Sequence, residues 1–117
     1  SELVSQVVVI GAGRKQPAAL IVPDWEALSE AMQKNGSEPP KTRAELSRAP
    51  DAIKIVQREI VQLTTELADY ERVRRVALLP EEFTIDGGEL TPTLKVKRRI
   101  VDEKYSDLID ELYGASD

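Results

Sequence analysis

Cysteine and histidine are both absent from this chain of 117 residues. Without thiols there is no disulfide framework, thiolate zinc site or cysteine nucleophile, and without imidazole there is no Ser-His-Asp relay or histidine metal ligand. Any catalytic charge must come from Lys, Arg, Asp, Glu or Tyr. Aromatic residues are scarce as well, and Trp25, Tyr70, Tyr105 and Tyr113 stand singly, as packing residues do rather than as a stacking platform for bases. No apolar run approaches the ~20 residues of a membrane span, and residues 1–22 lack the charged start and cleavage site of a secretory signal. The simplest location is the cytoplasm.

What is present is the balance of a folded chain, 41% apolar and 32% charged, with enough length for one core across residues 1–117. The acids outnumber the bases, 21 to 16, for a net charge of -5, which opposes a general nucleic-acid footprint. There is no internal repeat and no low-complexity tract. The chain begins at Ser1, with no Met, close to a strand, and the expectation is a piece of a larger protein.

Two short β-branched runs, 6–10 (QVVVI) and 18–22 (AALIV), predict antiparallel strands joined across GAGRKQP. Asp24 is placed to cap a helix through Trp25, Leu28 and Met32 that Asn35-Gly36 ends. Thr42-Arg43-Ala44-Glu45 has the pattern of a capping box for a short helix ending near Pro50. From Asp51, the stripe Ile53, Val56, Ile60, Leu63 and Leu67 predicts a long amphipathic helix facing a core. Residues 73–79 predict a strand, and Asp86-Gly87-Gly88 between extended segments predicts a second hairpin. Val101, Tyr105, Leu108 and Leu112 predict a closing helix, or two short ones. The order of elements predicts an α+β fold in which two β-hairpins and a mixed sheet pack against several helices.

VVVIGAG opens like a dinucleotide-binding fingerprint, but Gln16 stands where the third glycine belongs and Pro17 leads into a strand instead of a phosphate-binding helix. The hairpin turn is the better reading. The acids Asp24, Glu81, Glu82, Asp86 and Glu89 sit at turns with nothing to set their separation, so neither a magnesium site nor an acid-base pair is expected of them. Lys95, Lys97, Arg98 and Arg99 place four cations in five residues. A nucleic-acid patch is disfavoured by the acidic chain. A solvated helix start and a lysine aimed at phosphate, where an ammonium can neutralise charge that develops during attack, both remain open on the residues alone.

PEEFTIDGGELTPTLKVKRR, residues 80–99, resembles the C-terminal signature of AMP-forming acyl-CoA synthetases, in particular the long-chain fatty acid-CoA ligases. The likeness extends to VVVIGAGRKQPAALIVPDWEAL, the long helix, VALLP and KRRIVDEKYSDLIDELY. It implies that residues 1–117 are the mobile C-terminal domain of a larger enzyme, with its own N-terminal adenylation domain as partner, the phosphate-binding loop, adenine site, acyl tunnel and hinge lying before Ser1, and a face that includes part of the first hairpin lining the CoA channel. That enzyme activates a fatty acid with ATP and Mg2+ to an acyl-adenylate and passes the acyl group to CoA. The family's adenylation lysine falls on Lys95, which would be catalytic and would contact the α-phosphate of ATP or adenylate. Many relatives carry Gly before that lysine, where this chain has Leu94, a residue that long-chain members tolerate.

The resemblance implies no metal site in the fragment, no cofactor bound by it alone and no ligase activity from it alone. It implies no nucleic acid and no membrane span, with a membrane-peripheral position left open for the complete enzyme. Two alternatives stand beside it. One is a fatty acyl-AMP ligase that stops at the adenylate or uses another acceptor. The other is a non-catalytic module whose basic cluster binds phosphate or an acidic partner.

Overall fold

The structure, a computed structural model, describes residues 2–11, 17–64, 73 and 75–114. The chain divides into two compact units, Ser1–Glu81 and Glu82–Asp117.

The first unit is built on three strands, β1 (Val4–Ile10), β2 (Ala18–Pro23) and β3 (Arg75–Leu78), in the sheet order β1-β2-β3. β1 and β2 form the expected antiparallel hairpin, with Val7 opposite Ile21 and Ile10 opposite Ala18. β3 lies parallel to β2, Ala19 beside Val76 and Ile21 beside Leu78. The sheet is therefore mixed. β2, in the middle, is buried at every position, which explains why its sequence is an unbroken apolar run rather than an alternation. On the β1 edge the alternation returns: Val8 and Ile10 are buried, while Val7 and Val9 are exposed.

Three helices follow β2: α1 (Trp25–Lys34), α2 (Arg43–Arg48) and α3 (Pro50–Thr64). The Asp24 carboxylate accepts from Ala27 N–H at 3.0 Å, and the Thr42 hydroxyl accepts from Glu45 N–H at 3.2 Å, so both expected caps hold the first turns of their helices. α1 ends as predicted. Gly36 adopts φ 84°, and the amides of Gly36 and Ser37 return to the carbonyls of Gln33 and Met32, the left-handed closure that glycine makes at least cost. α3 starts one residue earlier than expected, because proline suits a first helical position whose amide has no intrahelical partner.

Leu28 and Met32 of α1, Leu46 of α2 and Ala52, Val56 and Ile60 of α3 meet Ala19, Ile21, Val76 and Leu78 in one apolar cluster. The sheet residues in it share one face by register. The described part of the predicted stripe, Val56 and Ile60, is therefore core face in this unit, with Ile53 at its margin. The side chain of Leu63, and Leu67 and Tyr70 altogether, lie outside the described residues, as do residues 12–16 of the first turn and Arg74 of the predicted strand.

The second unit carries α4 (Arg98–Lys104) and α5 (Ser106–Tyr113), two short helices meeting at Tyr105. Val101 and Tyr113 are buried, whereas Tyr105, Leu108 and Leu112 are half-buried. Among the described residues the architecture is α+β, a three-stranded mixed sheet with five helices, and α+β is the class that the order of elements predicts. No helix among the described residues is long and apolar enough to cross a membrane.

Candidate functional site

The basic cluster belongs to the second unit, and the backbone before it differs in detail from the sequence expectation. Residues 85–88 do form a turn, closed by Gly88 N–H to Ile85 C=O at 3.1 Å. No ladder flanks it. Thr84 N–H, which a ladder would use, donates instead to Glu89 Oε1 at 3.0 Å, and a single backbone bond, Leu90 N–H to Thr84 C=O, spans the turn. The antiparallel bridge forms one step later, between Leu90 and Val96. The hairpin therefore turns at Pro92-Thr93-Leu94 rather than at Asp86-Gly87-Gly88.

Thr91 closes this hairpin. Its N–H donates to Lys95 C=O at 2.8 Å and its C=O accepts from Leu94 N–H at 2.8 Å. Its hydroxyl oxygen accepts from Lys95 N–H at 3.0 Å. Pro92 follows Thr91 at the position where a fixed φ suits a turn, and Leu94 takes φ 66°. A turn followed by one left-handed residue is the usual geometry of a three-residue hairpin loop, and the left-handed position is normally glycine. The sequence places leucine there, with 66% of its surface exposed.

Lys95 thus has both backbone polar groups fixed, while its side chain is exposed. The ammonium pairs with no described residue, and the same is true of Lys97. Arg99 forms a loose helical pair with Glu103 at 3.8 Å, with both side chains mostly in solvent, a contact of little energetic weight. The structure therefore brings Lys95 and Lys97 to the loop and its exit, and Arg98 and Arg99 to the first turn of α4.

The acids separate into two kinds. Glu81, Glu82 and Asp86 are exposed, whereas Glu89 is buried, with 1% of its side chain accessible. Its Oε2 accepts from Lys104 Nζ, and its backbone carbonyl accepts from Lys97 N–H at 2.7 Å. Burial by itself would raise the Glu89 carboxyl. The hydrogen bond from Lys104, that from Thr84 N–H and the ammonium charge outweigh it and hold the group below the ordinary glutamate value.

Gly87 makes room for this arrangement. A methyl at its Cα would stand 2.6 Å from Glu89 Oε1 and 2.8 Å from the Thr84 hydroxyl, which already accepts from Gly87 N–H at 2.8 Å. Close by, Phe83 and Tyr105 pack with ring centroids 6.4 Å apart, and Lys104 Nζ lies 5.7 Å from the Tyr105 ring centre. Sequence reasoning treated Glu89 as one acid at a turn among several. Its partner lies fifteen residues away, beyond any local spacing rule, and the only local signal was the glycine pair immediately before it.

Among the described residues no three metal-ligating side chains converge. β2 occupies the place where a dinucleotide-binding helix would begin, running antiparallel to β1.

The profile of the AMP-binding enzyme C-terminal domain matches residues 1–117. The long-chain-fatty-acid-CoA ligase FadD15 of Mycobacterium tuberculosis is 37% identical over 112 residues, spanning 96% of this chain and 19% of that protein. Long-chain-fatty-acid-CoA ligase 1 of Cavia porcellus is 39% identical over 117 residues, 97% of this chain and 16% of that protein. Among solved structures, the A-PCP didomain of the carboxylic acid reductase from Segniliparus rugosus in complex with AMP superimposes with a TM-score of 0.71 at 26% identity, covering 97% of this chain and 14% of that one. This chain therefore spans less than a fifth of the length of each of these proteins.

Proposed function

Since the chain belongs to the AMP-binding enzyme C-terminal domain family, we propose that it is the mobile C-terminal domain of a long-chain fatty acid-CoA ligase and that Lys95 is its adenylation lysine. The observation that carries this reading is an exposed lysine, unpaired among the described residues, on a hairpin whose backbone is fixed on both sides of it by Thr91, in a chain 37% to 39% identical to such ligases.

In the complete enzyme a fatty acid carboxylate attacks the α-phosphorus of ATP and pyrophosphate leaves; the CoA thiol, losing its proton, then attacks the acyl carbon of the acyl-adenylate, and AMP leaves as the thioester forms. The ammonium of Lys95 has three donors on a flexible stem. Set between the attacking carboxylate and the α-phosphate oxygens, it stabilises charge that grows at phosphorus in the transition state, where a fixed cation contributes most. The Lys95 ammonium forms no ion pair among the described residues, which leaves that charge available.

Magnesium would enter with the ATP phosphates. The described residues do not fit a site for it, because the exposed acids stand apart and Glu89 is committed to Lys104 and Thr84. No step on this chain runs through the metal. The adenine and acyl pockets belong to the N-terminal adenylation domain, a face of the C-terminal domain lines the CoA channel in the second conformation, and the enzyme works in the cytoplasm.

Pyrophosphate exchange into ATP, driven by a long-chain fatty acid, tests the reading on the complete ligase. Lys95→Ala should slow exchange by on the order of 10²-fold or more, the loss of about 2.7–4 kcal/mol that follows removal of one charge stabiliser. Stability should change by no more than about 0.5 kcal/mol, as for other exposed substitutions. Unchanged exchange would remove Lys95 from the chemistry and turn attention to the basic cluster as a binding surface.

A further inference from the structure

Of the acids among the described residues, Glu89 is the one that is buried, and the adenylation chemistry does not use it. With 1% of its side chain accessible, it cannot reach a substrate in this arrangement and is not a general base. Nor is stability an adequate reason to keep it there. Removing the carboxylate from water costs free energy that its bonds, one of them to a half-exposed ammonium, must first offset, so a well-packed apolar residue would serve a core equally well.

The groups that Glu89 holds suggest another reason. Oε1 takes the N–H of Thr84, before the 85–88 turn. The backbone carbonyl takes the N–H of Lys97, just after the hairpin. Oε2 takes Nζ of Lys104, at the far end of α4. The segments entering and leaving the hairpin and the last residue of α4 thus converge on one residue, immediately before the Leu90–Val96 bridge. From the bridge outward the bonds of Thr91 fix the backbone of Lys95 on both sides. Gly87 is small where any side chain would displace the carboxylate.

Resting on the reading of Lys95 as the adenylation lysine, we infer that Glu89, through its contacts with Thr84, Lys97 and Lys104, is a positioning residue that fixes the direction in which the hairpin presents Lys95. Directional bonds specify one arrangement where apolar packing tolerates several. Loss of the charge at Glu89 weakens the bonds that its carboxylate makes to Thr84 N–H and Lys104 Nζ and loosens the base of the hairpin, so Lys95 keeps its own charge but loses its aim.

The test uses the complete ligase with Glu89→Gln, Lys104→Gln, Lys95→Ala and the double variant Lys95→Ala/Glu89→Gln, after thermal melts establish which variants are folded. Lys104 has 43% of its side chain in solvent, so Lys104→Gln breaks the pair from its tolerant side even where Glu89→Gln does not fold. Two half-reactions are followed: ATP-pyrophosphate exchange, and acyl transfer from supplied acyl-adenylate to CoA. Each single variant of the pair should lower kcat for exchange by about 10- to 100-fold, since misplacement by about 1 Å can cost 10²-fold. Acyl transfer should stay within about twofold, and on the Lys95→Ala background the Glu89→Gln loss should disappear, because no aimed charge remains to misdirect.

Equal slowing of both half-reactions, or a Glu89→Gln loss that multiplies with that of Lys95→Ala, would make Glu89 a structural residue only. Full exchange in a folded Lys104→Gln enzyme would overturn the inference outright. If Lys95→Ala itself leaves exchange intact, the reading of Lys95 fails, whatever the Glu89 variants do. If Lys95→Ala abolishes exchange while both pair variants run at full rate, only the role of Glu89 fails.

Discussion

The two units of this chain are organised by different forces. Ser1–Glu81 is ordered by apolar burial: one face of a three-stranded sheet and one stripe on each of three helices close over a continuous core. In the part of Glu82–Asp117 that carries the cations, hydrogen bonds to one buried carboxylate and one threonine hold an irregular backbone, with a single isolated bridge in place of a ladder. Burial is non-directional and tolerant, and it suits a scaffold. Hydrogen bonds prescribe direction, which a lysine needs if its charge must meet a reacting phosphate. The contrast teaches that periodicity and chemistry are separated along this sequence.

The sharpest way to break the contrast is to open the core of the first unit. Leu28 is wholly buried between α1 and the sheet, so Leu28→Ala should cost about 2–5 kcal/mol, through lost transfer energy and the cavity left behind. Urea denaturation of the chain measures it. A loss below about 1 kcal/mol would mean that the core collapses around the gap and that burial there is less specific than the packing suggests.

Acid should act on the second unit instead. The Glu89 carboxyl is held below its ordinary value, and a carboxyl depressed in the folded state stabilises that state at pH values above its unfolded pKa, about 4.3. This contribution is lost as pH falls through the folded value. Melting curves of the parent chain and of Glu89→Gln should therefore converge as pH is lowered from 7 through 4 towards 3, and the variant should show the flatter profile. Parallel profiles across that range would mean that Glu89 contributes nothing through its charge.

The same division decides what could be read from the residues. The β1–β2 hairpin, α1 with its Asp24 cap, the Thr42 cap of α2 and the stripe of α3 were legible because each rests on a local rule of spacing or capping. The second hairpin was legible in kind and displaced in position. Asp-Gly-Gly is a strong turn signal and a turn does form there, but the Glu89 side chain takes the amide that a ladder would need. Lys95 came from the resemblance, since its residues alone left a solvated helix start equally open. Glu89 could not be found, because its burial depends on Lys104, fifteen positions away.

Leu94 supplies the smallest effect and the most discriminating one, because it sets one leucine against another. Leu28 has no exposed surface, whereas Leu94 has 66% of its surface exposed and is held at φ 66°. A left-handed leucine costs on the order of 1–2 kcal/mol in backbone strain, while glycine adopts that conformation freely and returns about 0.5–1 kcal/mol of that gain as added freedom of the unfolded chain. Leu94→Gly should therefore leave stability unchanged or raise it by up to about 1 kcal/mol, although it deletes an entire apolar side chain. Leu94→Ala keeps the strain and should gain nothing, so the pair of variants separates backbone from side chain. Urea midpoints of the two variants decide the matter: a loss in Leu94→Gly comparable with that of Leu28→Ala would mean that the Leu94 side chain is packed and that apolar burial, not hydrogen bonding, shapes this loop.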